Sequence, residues 1–170
     1  MTQELEVYFD YICPYCLRGH EYLLELLPQY PDLIVKWFPC EAHPRPESYG
    51  RHSDLCARGM YVALESSANL LEYHNSMYRA ALKDGADIEN SNVLLRYTEG
   101  ILDREKFKLA LSDGLYEDRL LENNRLAWDK HGFQAVPSYR MGEKILKSKL
   151  GVGVSKEQLA SFIRKHLKSM

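Results

Sequence analysis

The stretch Leu5-Glu6-Val7-Tyr8-Phe9-Asp10-Tyr11-Ile12-Cys13-Pro14-Tyr15-Cys16 decides how the rest of the chain is read. Leu5, Val7 and Phe9 alternate with Glu6, Tyr8 and Asp10, a period of two that predicts a strand with one strongly apolar face. Leu17, Leu23, Leu24, Leu26 and Leu27 then predict a helix that stops near Pro28, because proline has no N–H for the next helical bond. The helix begins inside the cysteine pair, so the CxxC sits at a strand-to-helix junction. There the unpaired backbone N–H groups and the helix dipole favour an anion, and Cys13 is expected to be a thiolate of depressed pKa. Cysteines in such settings titrate between roughly 3.5 and 7.5, and each unit of depression is worth about 1.4 kcal/mol. Pro14 suits the first helical turn, where a missing N–H costs nothing. Cys16, one turn on, is placed to close a small disulfide ring and to resolve a mixed disulfide formed at Cys13.

Two other readings of the pair are half of a structural zinc site and a chance pair of buried cysteines. Structural zinc commonly takes four ligands as two close pairs. Cys40 and Cys56 are sixteen positions apart, although His43 and His52 keep a mixed site formally open. The expectation is no metal.

Working outward, Leu33 to Phe38 reads as a second strand before Pro39, and a crossover of that length favours two parallel strands joined in the right-handed sense. Glu41 to Asp54, with His43, Pro44, Arg45, Pro46, Ser48 and Gly50, marks a boundary. From Leu55 to Leu82 apolar residues recur at three- and four-residue steps, as one long amphipathic helix or two shorter ones ended by Asp84 and Gly85. Helical stretches follow at about Ser91 to Gly100, Asp103 to Ser112 and Tyr116 to His131. Strand character returns at Phe133 to Met141 and Lys144 to Lys147, with Gly142 and Glu143 between them at hairpin distance. Ser155 and Gln158 form a capping-box pair ahead of a last helix through Leu159, Phe162, Ile163 and Leu167. The order βαβ, helices, ββα is that of an α/β, thioredoxin-like fold interrupted by an all-helical insertion. Residues 1–54 and 129–170 are expected to form the thioredoxin-like domain and 55–128 the insertion.

Composition bounds the function classes. A chain of 170 residues with 45% hydrophobic and 27% charged side chains is one domain, or one domain with an insertion, and has enough apolar residues for a core. Its 22 basic and 24 acidic side chains nearly cancel, so no electrostatic footprint for nucleic acid or a membrane surface is visible. No apolar run approaches the roughly 18 residues that cross a bilayer, and Met1 to Glu6 lack the basic and apolar segments of a signal peptide. The expected location is the cytoplasm. Four cysteines are too few for a disulfide-dense scaffold, and in a reducing compartment they bind metal, do redox chemistry or sit inert in a core.

Val136-Pro137-Ser138 opens the returning strand. An ordinary trans proline fits a strand start, but the upstream CxxC tips the expectation to a cis Val136-Pro137 bond. That bond would expose the Val136 backbone beside the cysteines, where it could pair with an extended substrate segment.

With both elements in place, the chain resembles the DsbA-type branch of the thioredoxin superfamily, and within it the FrnE-like group, over nearly its whole length. Asp10-Tyr11-Ile12-Cys13-Pro14-Tyr15-Cys16 is similar to that group's aspartate, aromatic, any residue, then CPxC signature. Tyr73-His74-Asn75-Ser76-Met77-Tyr78-Arg79-Ala80 with Asp87-Ile88 resembles its helical stretch, and Gly132-Phe133-Gln134-Ala135-Val136-Pro137-Ser138-Tyr139 its proline segment. The resemblance implies Cys13 as nucleophile, Cys16 as resolving thiol, Pro137 as the cis-proline after Val136, and substrate contacts at Pro14, Tyr15, Val136 and Pro137. Ala135 stands where glycine is common. Pro-Tyr between the cysteines also occurs in glutaredoxins, whereas periplasmic DsbA proteins carry Pro-His. By that analogy the potential lies nearer roughly −200 to −230 mV than roughly −120 mV.

A sister group comprises 2-hydroxychromene-2-carboxylate isomerases and kappa-class glutathione transferases, which typically place serine where Cys13 stands. Such an isomerase or transferase is the second reading, and a noncatalytic interaction module the third. The first expectation is a protein disulfide oxidoreductase acting on protein or small-molecule disulfides and thiols, with no cofactor and with glutathione as a candidate co-substrate. Cys40 reads either as a third redox thiol, free or bridged to Cys56, or with Cys56 as one of two small, partly buried residues. His20 is expected on a solvated helix face and His74 as a core histidine with a satisfied hydrogen bond. Asp10 assists proton transfer or builds a turn. The insertion is expected to cap the active-site edge and shape a groove.

Overall fold

The computed structural model describes residues 3–167. Four strands form one mixed sheet in the order β2-β1-β3-β4. β1 (Gln3–Phe9) and β2 (Leu33–Pro39) run parallel, from Gln3 opposite Leu33 to Phe9 opposite Pro39, and α1 (Pro14–Leu26) connects them. A three-residue turn, Leu27–Gln29, carries Pro28 where the helix ends. β1 also pairs antiparallel with β3 (Ser138–Met141), which pairs antiparallel with β4 (Lys144–Leu146) across Gly142 and Glu143.

The face of β1 opposite its apolar one is more covered than strict alternation implies, with Glu4 exposed and Glu6 half-buried but Tyr8 sealed in. Tyr8 and Asp10 are as buried as Leu5, Val7 and Phe9, because β1 lies inside the sheet and is covered on both faces. The Tyr8 ring stacks on Phe38 at 4.8 Å and meets Phe133 edge-on at 5.1 Å, while its hydroxyl donates to Glu6 Oε2 at 2.9 Å. A second correction concerns the returning strand, which begins at Ser138 and not at Phe133. Phe133 N–H donates to Ala127 O at 2.9 Å, and its ring fills space against Tyr8 instead of joining a ladder.

Between β2 and β3 the chain is helical: α2 (Asp54–Glu65), α3 (Leu70–Tyr78), α4 (Ser91–Tyr97), α5 (Arg104–Ser112) and α6 (Glu117–Asn124). Wide π-type turns, Arg79–Lys83 and Arg125–Lys130, extend α3 and α6. The periodic stretch after Leu55 is two helices because Ser67 turns at φ 54° and Asn69 starts α3 afresh, accepting from Leu71 and Glu72 N–H. After β4, Ser155 and Gln158 exchange the predicted reciprocal bonds at 3.1 and 2.9 Å and open α7 (Lys156–Leu167). Among the described residues no helix is long and apolar enough to cross a membrane.

Polar stitches fix the helices against the end of β2. Asn123 Nδ2 donates to Pro39 O at 2.9 Å and Trp128 Nε1 to Glu41 O at 3.0 Å. Within the helical layer the Arg58 guanidinium, 4% exposed, donates to Leu115 O at 2.9 Å, Leu111 O at 2.8 Å and Ala110 O at 3.2 Å. It satisfies Leu111 O in the last turn of α5 and Leu115 O in the turn beyond, and it shares Ala110 O with the Leu115 N–H. Arg58→Ala leaves the buried Leu111 carbonyl without its donor and is expected to lower stability by about 3 kcal/mol. The check is a fall in urea midpoint at unchanged slope.

Candidate active site

Cys13 caps α1. Its backbone is extended (φ −95°, ψ 117°), Pro14 follows as the first helical residue, and Cys16 N–H points back to Cys13 Sγ at 3.4 Å. Cys13 is partly exposed and Cys16 buried, and both are reduced. The Cys13 thiol is held below the ordinary cysteine range, foremost by a hydrogen bond from the Cys16 thiol. Burial opposes this, and the N–H groups of Cys16 and Tyr15 reinforce it. The helix terminus therefore contributes as predicted, but the second cysteine contributes more. Cys16 is pushed well above the usual range by burial and by giving its proton to that bond. Asp10 N–H also points to Cys16 Sγ, at 3.4 Å. One sulfur is prepared as an anion and its neighbour as a proton donor.

Val136-Pro137 is a cis peptide, as expected. The Val136 carbonyl lies 3.5 Å from Cys13 Sγ, near enough to accept from the protonated thiol. The approach of α1 to this segment depends on Gly19: a Cβ there would lie 2.5 Å from the Tyr139 hydroxyl and 3.1 Å from Pro137 Cγ. Pro14 is exposed and Tyr15 half-buried, whereas the Val136 and Pro137 side chains are buried. Of the predicted substrate residues, the last two therefore present backbone and not side chain.

Asp10 holds the turn that delivers the cysteines. Its Oδ1 accepts from Ile12 N–H at 3.2 Å and its Oδ2 from Ala42 N–H at 3.0 Å. Burial pushes the carboxyl up, opposed by hydrogen bonds from Ser53, Ala42 and Ile12. Of the two expectations for Asp10, the turn is the one these bonds display. The signal available in sequence was only a polar residue at a strand end.

His20 corrects the sequence reading. It is buried, and its Nε2 donates to Asn75 Oδ1 at 2.6 Å while its ring lies 5.4 Å from Tyr78. This face of α1 is covered by α3, which periodicity along α1 alone does not reveal. His74 is the expected core histidine, bonded through Nδ1 to the Tyr11 hydroxyl at 2.8 Å, but its Nε2 has no partner. Burial holds both imidazoles below their usual pKa, so both are neutral.

Cys40 does share the rim with Cys13, since its N–H and Sγ meet Phe9 O at 2.8 and 3.4 Å. It is fully buried, as is Cys56, deeper than the partial burial expected. Burial pushes both thiols up, so neither has the exposed, anionic character of a redox thiol. Among the described residues no group of three or more His, Cys, Asp or Glu side chains is arranged to hold a metal ion. Clefts of about 690 Å³ each open beside β2 and between α1 and the α3–α4 face, and Cys13 lines neither.

A parallel-antiparallel sheet with a CxxC at the start of its first helix, facing a cis-proline, defines the thioredoxin-like fold of thiol–disulfide oxidoreductases. Residues 4–164 match the DSBA-like thioredoxin domain, and the chain belongs to that family. Its fold is similar to that of Chlamydia trachomatis DsbA (TM-score 0.72, 14% identity, covering 99% of this chain and 89% of that one). It is also similar to a thioredoxin-like oxidoreductase from Silicibacter pomeroyi (TM-score 0.71, 20% identity, 99% and 88%). A sequence relative, the uncharacterized protein YwbO of Bacillus subtilis (strain 168), is 24% identical over 196 residues, covering 94% of this chain and 97% of its own.

A depressed folded-state pKa at Cys13 stabilises the reduced protein. That contribution is complete above the unfolded thiol's value of about 8.5 and is lost as pH falls through the folded value. The stability difference between reduced wild type and Cys13→Ser is expected to grow with pH up to about 8.5. Denaturation series at stepped pH measure it, and a flat difference would show an unperturbed thiol.

Proposed function

We propose that this protein is a thiol–disulfide oxidoreductase of the DsbA/FrnE type with Cys13 as nucleophile and Cys16 as resolving thiol. The observation that carries the reading is the partly exposed Cys13 sulfur at the start of α1, 3.4 Å from the Cys16 N–H and 3.5 Å from the Val136 carbonyl of the cis-proline segment, with Cys16 buried one turn on.

In the reducing direction the Cys13 thiolate attacks one sulfur of a substrate disulfide. The substrate S–S bond breaks, a Cys13–substrate disulfide forms, and the first substrate thiolate leaves and takes a proton. Formation of that bond removes the charge on Cys13 that Cys16 had been serving. Cys16 then gives up its proton and attacks the Cys13 sulfur, which closes the Cys13–Cys16 disulfide and releases the second substrate thiol. Two electrons pass from the pair to the substrate, whose two thiols take one proton from Cys16 and one from solvent, and an external dithiol or thiol such as glutathione restores the pair. The reverse sequence oxidises a substrate dithiol. Pro14 and Tyr15 on the helix side, with the backbone of Val136 and Pro137 opposite, flank the attacked sulfur. No cofactor is required.

A glutathione-dependent isomerase or transferase needs only a bound external thiol. The pairing of Cys16 with Cys13 favours an internal dithiol cycle over that alternative, and it gives a noncatalytic module no use for a depressed thiol. Turbidimetric insulin-disulfide reduction with dithiothreitol is expected to be accelerated by wild type and to fall to background for Cys13→Ser. Cys16→Ser is expected to accumulate the mixed disulfide, read as an adduct by intact mass. Wild type at background would overturn the proposal.

A further inference from the structure

β2 ends the sheet on one side. In the order β2-β1-β3-β4 it pairs with β1 alone, and among the described residues no strand meets its outer edge. That edge presents backbone N–H and C=O groups to any extended chain. The cleft of about 690 Å³ beside β2 runs along it, lined by Ile34 to Phe38 of the strand and by Met60, Leu64, Leu70 and Leu126 of the helical layer. Ile34 is 42% exposed and Leu64 47%. An open ladder and an apolar cleft therefore lie side by side, across β1 from the strand that follows the cis-proline.

The side chains of this edge sort by parity. Asp32, just before β2, is exposed together with Ile34 and Lys36, whereas Leu33, Val35 and Trp37 are half-buried. Lys36 reaches Glu4 of β1 at 3.0 Å. Pro31 and Pro39 bracket the segment, and neither has an N–H to give to a ladder. A lysine on an edge strand discourages indiscriminate pairing, so the register decides which partner Lys36 admits.

A second copy of this chain brings the same edge. Two identical strands paired antiparallel about a two-fold axis keep like faces together only when the axis passes through a residue. An axis at Leu33 sets Pro31 against Val35, and one at Trp37 sets Pro39 against Val35. At Lys36 it opposes two lysines, and at Val35 it opposes Lys36 to Ile34. At Ile34 it places Asp32 of each copy opposite Lys36 of the other, with Ile34 meeting Ile34 between the two charge pairs and Leu33 facing Val35. Opposite charges and matched aliphatic residues are the cross-strand pairs that stabilise a ladder.

We propose that the β2 edge is a homodimer interface, in which two copies pair antiparallel about Ile34 and join their sheets into one of eight strands. The charge pairs between Asp32 and Lys36 fix the register, and the second copy covers Ile34 and the mouth of the cleft.

Sedimentation equilibrium from micromolar to hundreds of micromolar protein tests this. Wild type is expected to show a monomer–dimer equilibrium, and Ile34→Lys, which sets two lysines at the axis, to be monomeric throughout. Asp32→Lys and Lys36→Asp, each of which makes both charge pairs repulsive, are each expected to raise the dimer dissociation constant by about tenfold. Mixed in equal amounts, these two variants are expected to recover a dimer, because one copy then carries two lysines and the other two aspartates. Recovery on mixing is a result that a folding defect does not produce, and circular dichroism confirms the fold of each variant. Wild type that stays monomeric over the whole range, a dimer that survives Ile34→Lys, or single variants that fail to recombine would each overturn the interface.

Discussion

A thiolate at the start of α1 must coexist with a protonated thiol one helical turn away. The two conditions are linked, because the Cys13 thiol is held down and the Cys16 thiol pushed up by their proximity and by burial. Burial creates the asymmetry. Cys16 lies where an anion is costly, while Cys13 lies where backbone N–H groups and partial access to solvent make it tolerable. In the proposed exchange, a mixed disulfide at Cys13 would remove that charge and leave Cys16 free to give up its proton.

The rest of the sheet serves that pair. Asp10 takes bonds from Ile12 and Ala42, fixing the turn that carries the cysteines against the strand end beside it. Its negative charge works against the Cys13 thiolate, so its position is a compromise between holding the turn and disturbing the anion. Gly19 removes a side chain where α1 meets Tyr139 and Pro137, and that absence lets the helix start and the proline segment face one another. Ser138 and Ser148 extend the same construction to the loop beyond β4.

Much of the fold was legible in the sequence because local rules and the global fold agree. The cysteine pair, Pro14 at the first helical position, the Ser155–Gln158 box and the Gly142–Glu143 turn are short-range signals whose chemistry is complete within a few residues. Where the reading failed, a neighbour distant in sequence decided the outcome. Tyr8 was left off the apolar face because alternation cannot tell an outer strand from an inner one, and Phe38 and Phe133 cover it. His20 was placed in solvent because nothing on α1 announces that α3 lies across it.

By itself the sequence determined the α/β order and the place of the CxxC at a helix start, because these follow from periodicity, caps and the missing proline N–H, while the place of Pro137 beside it came only from the resemblance. Only tertiary structure decided which sulfur is exposed, that Cys40 and Cys56 are sealed in the core, and that a loop over 130 residues from Tyr15 is latched to it. Burial and long-range hydrogen bonds are properties of what packs against a residue, and a linear pattern does not contain the neighbours.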